Sequence, residues 1–286
     1  MSNAGEVSYE ACLRRQETRG RLASFVIGPL YFLGMRLLGY RVRGIREIRR
    51  CWAALREEHP GPWLVCANHL TLIDSLVVSY ALFSLADHIR RFRAIPWNLP
   101  EEKNFGHSRL LAALCYLAKC IPVRRGGDRE DVRAVLEKCL HLLREGRNIL
   151  IFPEGGRSRS GRVDPARVSY GVGRLLGESA EARVLCLYVR GDGQRSWSDY
   201  PRFGERFTLR MEVLKPRAEG EGLRRQRAYA RQIVETLARM EEETLGAPGE
   251  RCRRPEGSGE SGKESGFTIP GEGLSSGGTG IHSFVR

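Results

Sequence analysis

Asn68-His69-Leu70-Thr71-Leu72-Ile73-Asp74 sets an imidazole and a carboxylate five positions apart. On one continuous helix two such residues diverge by about 140°, given 3.6 residues per turn. A contact between them therefore needs a change of element, and the flanking residues supply one. Pro62-Trp63-Leu64-Val65-Cys66-Ala67 is a short apolar run after a Pro/Gly break and reads as a buried strand. Ser75 to Phe83 is longer and apolar, and reads as a helix packed on the sheet. His69 and Asp74 then straddle a strand-to-helix corner, where open α/β sheets place their ligand crevices. There Asp74 can accept from one ring nitrogen and fix the tautomer, leaving the other nitrogen free as a base. Such a histidine can take a proton from an alcohol with no Ser or Cys nucleophile beside it. The same pair also fits a core histidine satisfied by a local cap, and spacing alone does not separate the two.

Two later stretches carry groups suited to phosphate. Cys120-Ile121-Pro122-Val123 reads as a short strand, and Arg124-Arg125-Gly126-Gly127 puts two guanidiniums beside a flexible turn at its end. Arginine forks grip phosphate oxygens bidentately, although two solvated surface arginines would look the same. Asn148 to Phe152 reads as a buried parallel-type strand ending in Pro153-Glu154-Gly155-Gly156-Arg157-Ser158. The paired glycines allow a ligand close to the backbone. Glu154 can hold a hydroxyl or orient Arg157, and Arg157 adds positive charge for a phosphate. No GxxxxGK is present, so this is not a P-loop.

The elements that must position these groups follow from pattern. Tyr40 to Ile45 alternates as a first strand, and Glu47 to Glu58 reads as a helix closed by His59-Pro60-Gly61-Pro62. Ala94 to Pro100 predicts a short strand followed by a loop with exposed aromatics, and Leu110 to Lys119 an apolar helix. Asp128 opens a helix whose Val132, Val135, Leu136, Cys139, Leu142 and Leu143 fall at helical spacing, with Gly146 as the stop. Val168 to Leu176 reads as a helix, Val184 to Val189 as a central strand, Phe207 to Leu214 as an outer strand, and Leu223 to Leu245 as an amphipathic helix. Alternation of strands and helices predicts an α/β fold with a mainly parallel central sheet flanked by helices.

Met1 to Gly20 is polar and does not fit a cleaved signal peptide. Leu22 to Met35 is apolar but broken by Gly28-Pro29 and shorter than the roughly 20 residues of a spanning helix. Residues 1–39 are therefore expected to form a short membrane-associating helical hairpin or interfacial segment, the alternative being a helix buried in the core. Arg14, Arg15, Arg19, Arg21, Arg36, Arg41 and Arg43 flank it, each worth about 1 kcal/mol against anionic headgroups. The main domain is expected over 40–245. From Gly246 onward Gly, Ser, Pro and Glu dominate, which predicts a disordered tail over 246–286.

Apolar content of 41% in 286 residues, with a mean hydropathy of −0.36, fits a globular domain and excludes a polytopic membrane protein. A net charge of +13 asks for an anionic partner. Nucleic acid is disfavoured, because no recognisable motif is present and the basic residues are not interleaved with stacking aromatics. Eight cysteines sit singly, with no CxxC pair, and read as small buried residues in a reduced compartment.

Asn68-His69, four residues and Asp74, followed by Phe152-Pro153-Glu154-Gly155-Gly156-Arg157-Ser158, resembles the first and third signature blocks of the glycerolipid acyltransferase family. The nearest familiar members are the 1-acylglycerol-3-phosphate acyltransferases. Ile121 to Arg129 resembles the middle block, and the likeness extends over roughly Gly39 to Pro216. What the resemblance implies is transfer of a fatty acyl group from acyl-CoA or acyl-carrier protein to the hydroxyl of a lysophosphatidate-like lipid. His69 would be the base and Asp74 its orienting partner. Arg125, Glu154, Gly155 and Arg157 would hold the acceptor. The chemistry requires no metal or organic cofactor. The partners implied are the thioester donor, a lysolipid and the membrane surface, with the protein peripheral or monotopic on the cytoplasmic face. Three departures bear on the acceptor: Arg124 stands where the family often has Asp, Gly156 where most carry Thr, and Cys186-Leu187 where a Pro is usual. Another lysolipid, an aminolipid or a natural-product lipid therefore stays open as acceptor, as does a non-catalytic basic membrane-binding module.

Overall fold

The computed structural model describes residues 3–124, 126–179 and 181–246. In chain order its elements are α1 (Asn3–Leu37), β1 (Arg41–Val42), α2 (Ile45–Glu58), β2 (Trp63–Ala67), α3 (Asp74–Leu82), α4 (Leu85–Arg90), β3 (Trp97–Asn98), α5 (Arg109–Leu117), α6 (Arg129–Arg144), β4 (Ile149–Ile151), α7 (Tyr170–Glu178), β5 (Arg183–Gly191), β6 (Arg206–Leu214) and α8 (Gly222–Gly246). The six strands form one sheet in the order β1-β6-β5-β2-β4-β3. Every pairing is parallel except β5 with β6. The mixed α/β architecture with a mostly parallel sheet is the one the element pattern predicts.

β2 carries no polar residue because helices cover both of its faces. Leu64 and Cys66 join Cys139, Leu143, Leu175 and Leu237 on the side of α6, α7 and α8. Trp63, Val65 and Ala67 join Trp52, Val77 and Ala81 on the side of α2 and α3. β5 divides in the same way, with Val184, Cys186 and Tyr188 on one face and Leu185, Leu187 and Val189 on the other.

The N-terminal segment departs from expectation. Instead of a hairpin, α1 is one uninterrupted helix that runs through Pro29. A proline inside a helix costs about 3 kcal/mol, and packing on both sides of it outweighs that here. Toward the domain, α1 buries Leu13, Gln16, Ser24 and Met35. Gln16 Nε2 donates to Tyr116 O and Cys120 O, both at 2.9 Å. Gly20 lies so close to α5 that a Cβ there would sit 2.5 Å from Leu117 O. Glu17 meets the buried Lys119 at 3.3 Å and Arg147 at 3.0 Å. Lys119 Nζ also donates to Ile95 O at 2.7 Å. Burial, opposed by Glu17, lowers the Lys119 pKa to about 8.

The outer side of α1 is apolar as well. Leu22, the Phe25-Val26 pair, Leu30, Leu33 and Leu37 fall at helical spacing and are all exposed. No described helix is long and apolar enough to cross a membrane.

Smaller differences have local causes. Trp97 is fully buried rather than exposed, because β3 is the sheet's last strand and α6 and α1 still cover that face. The strand expected at 120–123 reduces to isolated bridges from Cys120 to Asn98 and from Val123 to Glu101. α5 buries none of its residues, and Leu110, Leu111 and Leu114 are exposed. Cys66, Cys120, Cys139 and Cys186 are buried, Cys51 and Cys115 are half-buried, and Cys12 is exposed. Apart from Gly246, which ends α8, the tail lies outside the described residues.

Candidate active site

β2 ends at Ala67, and Asn68 ties that end to β5. Its Nδ2 donates to Val189 O at 3.0 Å and its Oδ1 accepts from Val189 N at 2.7 Å. The chain then turns, and Asp74 begins α3. Four donors converge on the Asp74 carboxylate: His69 Nδ1 at 3.0 Å, Leu70 N at 2.6 Å and Thr71 N at 2.8 Å on Oδ2, with Thr71 Oγ1 at 2.5 Å on Oδ1. This is the His–Asp contact that the strand-to-helix corner allows. With Asp74 accepting at Nδ1, that nitrogen carries the hydrogen, and Nε2 keeps a lone pair. Nε2 has no hydrogen-bond partner among the described residues. The ring stacks on Phe152 at the end of β4, with centroids 4.0 Å apart and planes 14° apart.

The Glu154 turn lies against this corner because β2 and β4 are parallel neighbours and end side by side. Ser158 N donates to His69 O at 2.9 Å, and Glu154 Oε1 accepts from His69 N at 3.3 Å. Glu154 is buried, and its Oε2 meets no donor in hydrogen-bond geometry among the described residues. Burial, opposed by the backbone N–H groups of His69 and Asp164 and reinforced by Glu241, pushes its pKa up to about 7. Gly155 turns the chain at φ +68°, in the left-handed region that a side chain would strain.

Arg157 makes no hydrogen bond or ion pair with Glu154. Its Nη1 donates to Ser198 O at 3.2 Å and to Asp199 Oδ1 at 2.7 Å, and the guanidinium lies 5.0 Å from the Trp197 ring centroid. The groups that hold Arg157 are Ser198 O, the Asp199 carboxylate and the Trp197 ring. Arg125 lies outside the described residues. Its neighbour Arg124 is exposed and bonded to Glu102 through Nε at 2.5 Å. The structure thus brings together His69, Asp74, Glu154, Gly155 and Arg157.

Sequence reading missed Thr71, whose hydroxyl holds the second Asp74 oxygen, and the segment from Trp197 to Asp199. The only signal for the latter was a pair of aromatics, Trp197 and Tyr200, in a polar connection between strands. A cavity of about 540 Å³ opens beside the corner, walled by Tyr31, Met35, Leu38, Ile73, Leu76 and Phe203. Among the described residues no cluster of three or more His, Cys, Asp or Glu is arranged to hold a metal ion.

No curated protein matches the chain. The model of the Acyltransferase family matches residues 40–186, just over half of the chain, from the approach to β1 through the His69 corner and the Glu154 turn into β5. The chain belongs to this family, that of the glycerolipid acyltransferases such as the 1-acylglycerol-3-phosphate acyltransferases.

Proposed function

We propose that the protein transfers a fatty acyl group from a thioester, acyl-CoA or acyl-carrier protein, to the hydroxyl of a phosphate-bearing lysolipid, lysophosphatidate being the simplest. His69 Nε2 takes the hydroxyl proton as the oxygen attacks the thioester carbonyl carbon. The tetrahedral intermediate collapses, the C–S bond breaks, and the imidazolium gives its proton to the departing thiolate, which leaves as the free thiol and returns His69 to its neutral form. Asp74 keeps the ring in the required tautomer and balances its charge through the proton's stay. Arg157 binds the acceptor's phosphate, aided by Arg125, and Glu154 and Gly155 shape the floor beside the reacting hydroxyl.

The observation that carries this reading is the imidazole locked at Nδ1 by a carboxylate that three further donors hold, with Nε2 unpartnered among the described residues. General-base catalysis contributes about 10²–10⁴ in rate. His69→Ala should lower acceptor-dependent thiol release by at least about a hundredfold, and Asp74→Asn should lower kcat by a comparable factor. Unchanged turnover in His69→Ala removes the base from the mechanism.

The apolar outer stripe of α1, with exposed Arg14, Arg15, Arg19, Arg21 and Arg36 beside it, supports an interfacial seat on an anionic leaflet. A helix lying in that plane would bring lipid acceptors to the corner without spanning the bilayer.

A further inference from the structure

The connection between β5 and β6 lies beyond the matched residues, yet its backbone is bonded to the histidine corner. Ser198 N donates to Leu70 O at 3.2 Å, and Leu72 N donates to Asp199 O at 3.1 Å. Main chain thus fixes Asp199 beside the site whatever its side chain does. The Asp199 carboxylate engages one edge of Arg157, where Nη1 serves both Ser198 O and Asp199 Oδ1. Nε and Nη2 of Arg157 hydrogen-bond nothing among the described residues, and neither does Asp199 Oδ2. The pair is open to solvent, with the Arg157 side chain 25% and the Asp199 side chain 61% exposed.

The free Nε–Nη2 fork matches two oxygens of a phosphate. A phosphomonoester dianion seated there meets a carboxylate on the adjoining nitrogen, and like charges at that separation repel. A phosphodiester that also carries an ammonium brings a single negative charge to the fork and a cation to Oδ2. Both unfilled positions are then satisfied together. We propose that Asp199 is a specificity-determining residue, selecting acceptors whose phosphate is a diester bearing an ammonium group over acceptors with a bare phosphomonoester. Naming that ligand as an acceptor rests on the acyl-transfer reading; the headgroup preference rests on Arg157 and Asp199.

Calorimetry on the full chain with sn-glycero-3-phosphoethanolamine and with glycerol 3-phosphate reads the headgroup alone. Turnover with the two matching lysolipids of equal chain length reads the reaction. The wild type should favour the zwitterion by about tenfold in Kd and in kcat/KM, as expected for one charge-assisted contact. Asp199→Asn keeps the shape and the backbone bonds and should bring the ratio to one or invert it, and Asp199→Ala should act in the same direction. Equal or tighter binding of the phosphomonoester by the wild type, an unchanged ratio in both variants, or no binding of either probe overturns the proposal. A headgroup preference with no acyl transfer to any lysolipid removes the reaction and leaves the headgroup site. Transfer without preference removes the role of Asp199 and leaves the reaction.

Discussion

Glu154 sits one hydrogen bond from the backbone of the proposed base, and its buried, half-satisfied carboxyl makes the fold itself sensitive to pH. Below about 4.5 the group is protonated in both folded and unfolded chains and contributes no pH dependence. Between about 4.5 and 7 the unfolded chain releases the proton while the folded one retains it, so stability falls as pH rises and levels off above about 7. At 1.36 kcal/mol per pKa unit the total is at most about 3 kcal/mol. Glu154→Gln should flatten that slope in denaturant unfolding between pH 5 and pH 8, and an unaltered slope would place its origin elsewhere. The His69–Asp74 contact was legible in sequence because both partners fall within one local corner. The Glu154 contact with the His69 backbone spans 85 positions and the Arg157–Asp199 pair spans 42, and no local periodicity carries either.

At the scale of the element, α2, α6 and α8 follow their apolar spacing, because each buries one stripe and leaves the other mostly polar, while α3 is apolar nearly all round. α1 escaped that logic because its buried side mixes Leu13 and Met35 with Gln16, Glu17, Gly20 and Ser24, while its most apolar stripe is the exposed one. Its inner side packs on the domain, and the helix continues through Pro29, which local propensity alone would break. The outer stripe supports no described contact, so changing it should leave the fold intact. Phe25→Glu with Leu30→Glu is expected to abolish flotation with anionic vesicles while shifting stability by less than about 0.5 kcal/mol, the usual range for exposed positions. Retained flotation would move the membrane contact to the exposed leucines of α5 or to the basic surface at large. Removing α1 altogether is a poorer test, because it would leave Lys119 and Arg147 without Glu17 in a buried site.

Across the whole molecule, sheet order does what no single element can. β2 lies between β4 and β5, so the His69 corner, the Glu154 turn and the connection after β5 all emerge along the same margin of the sheet. The parallel core and the first strand were legible from pattern; the reversal of β6 and the pairing of β1 beyond it were not, since an outer strand reads alike in either direction. Glu17 and Gln16 also tie the inner side of α1 to the domain, which leaves the outer apolar stripe facing solvent. In plain buffer, sedimentation should then report a mass that climbs with loading concentration above the 32.2 kDa of one chain. A mild detergent should dissolve those clusters into single copies, which makes surfactant a condition of handling this enzyme and not merely a convenience. A sharp monomer at every concentration without detergent would mean that something else shields the helix.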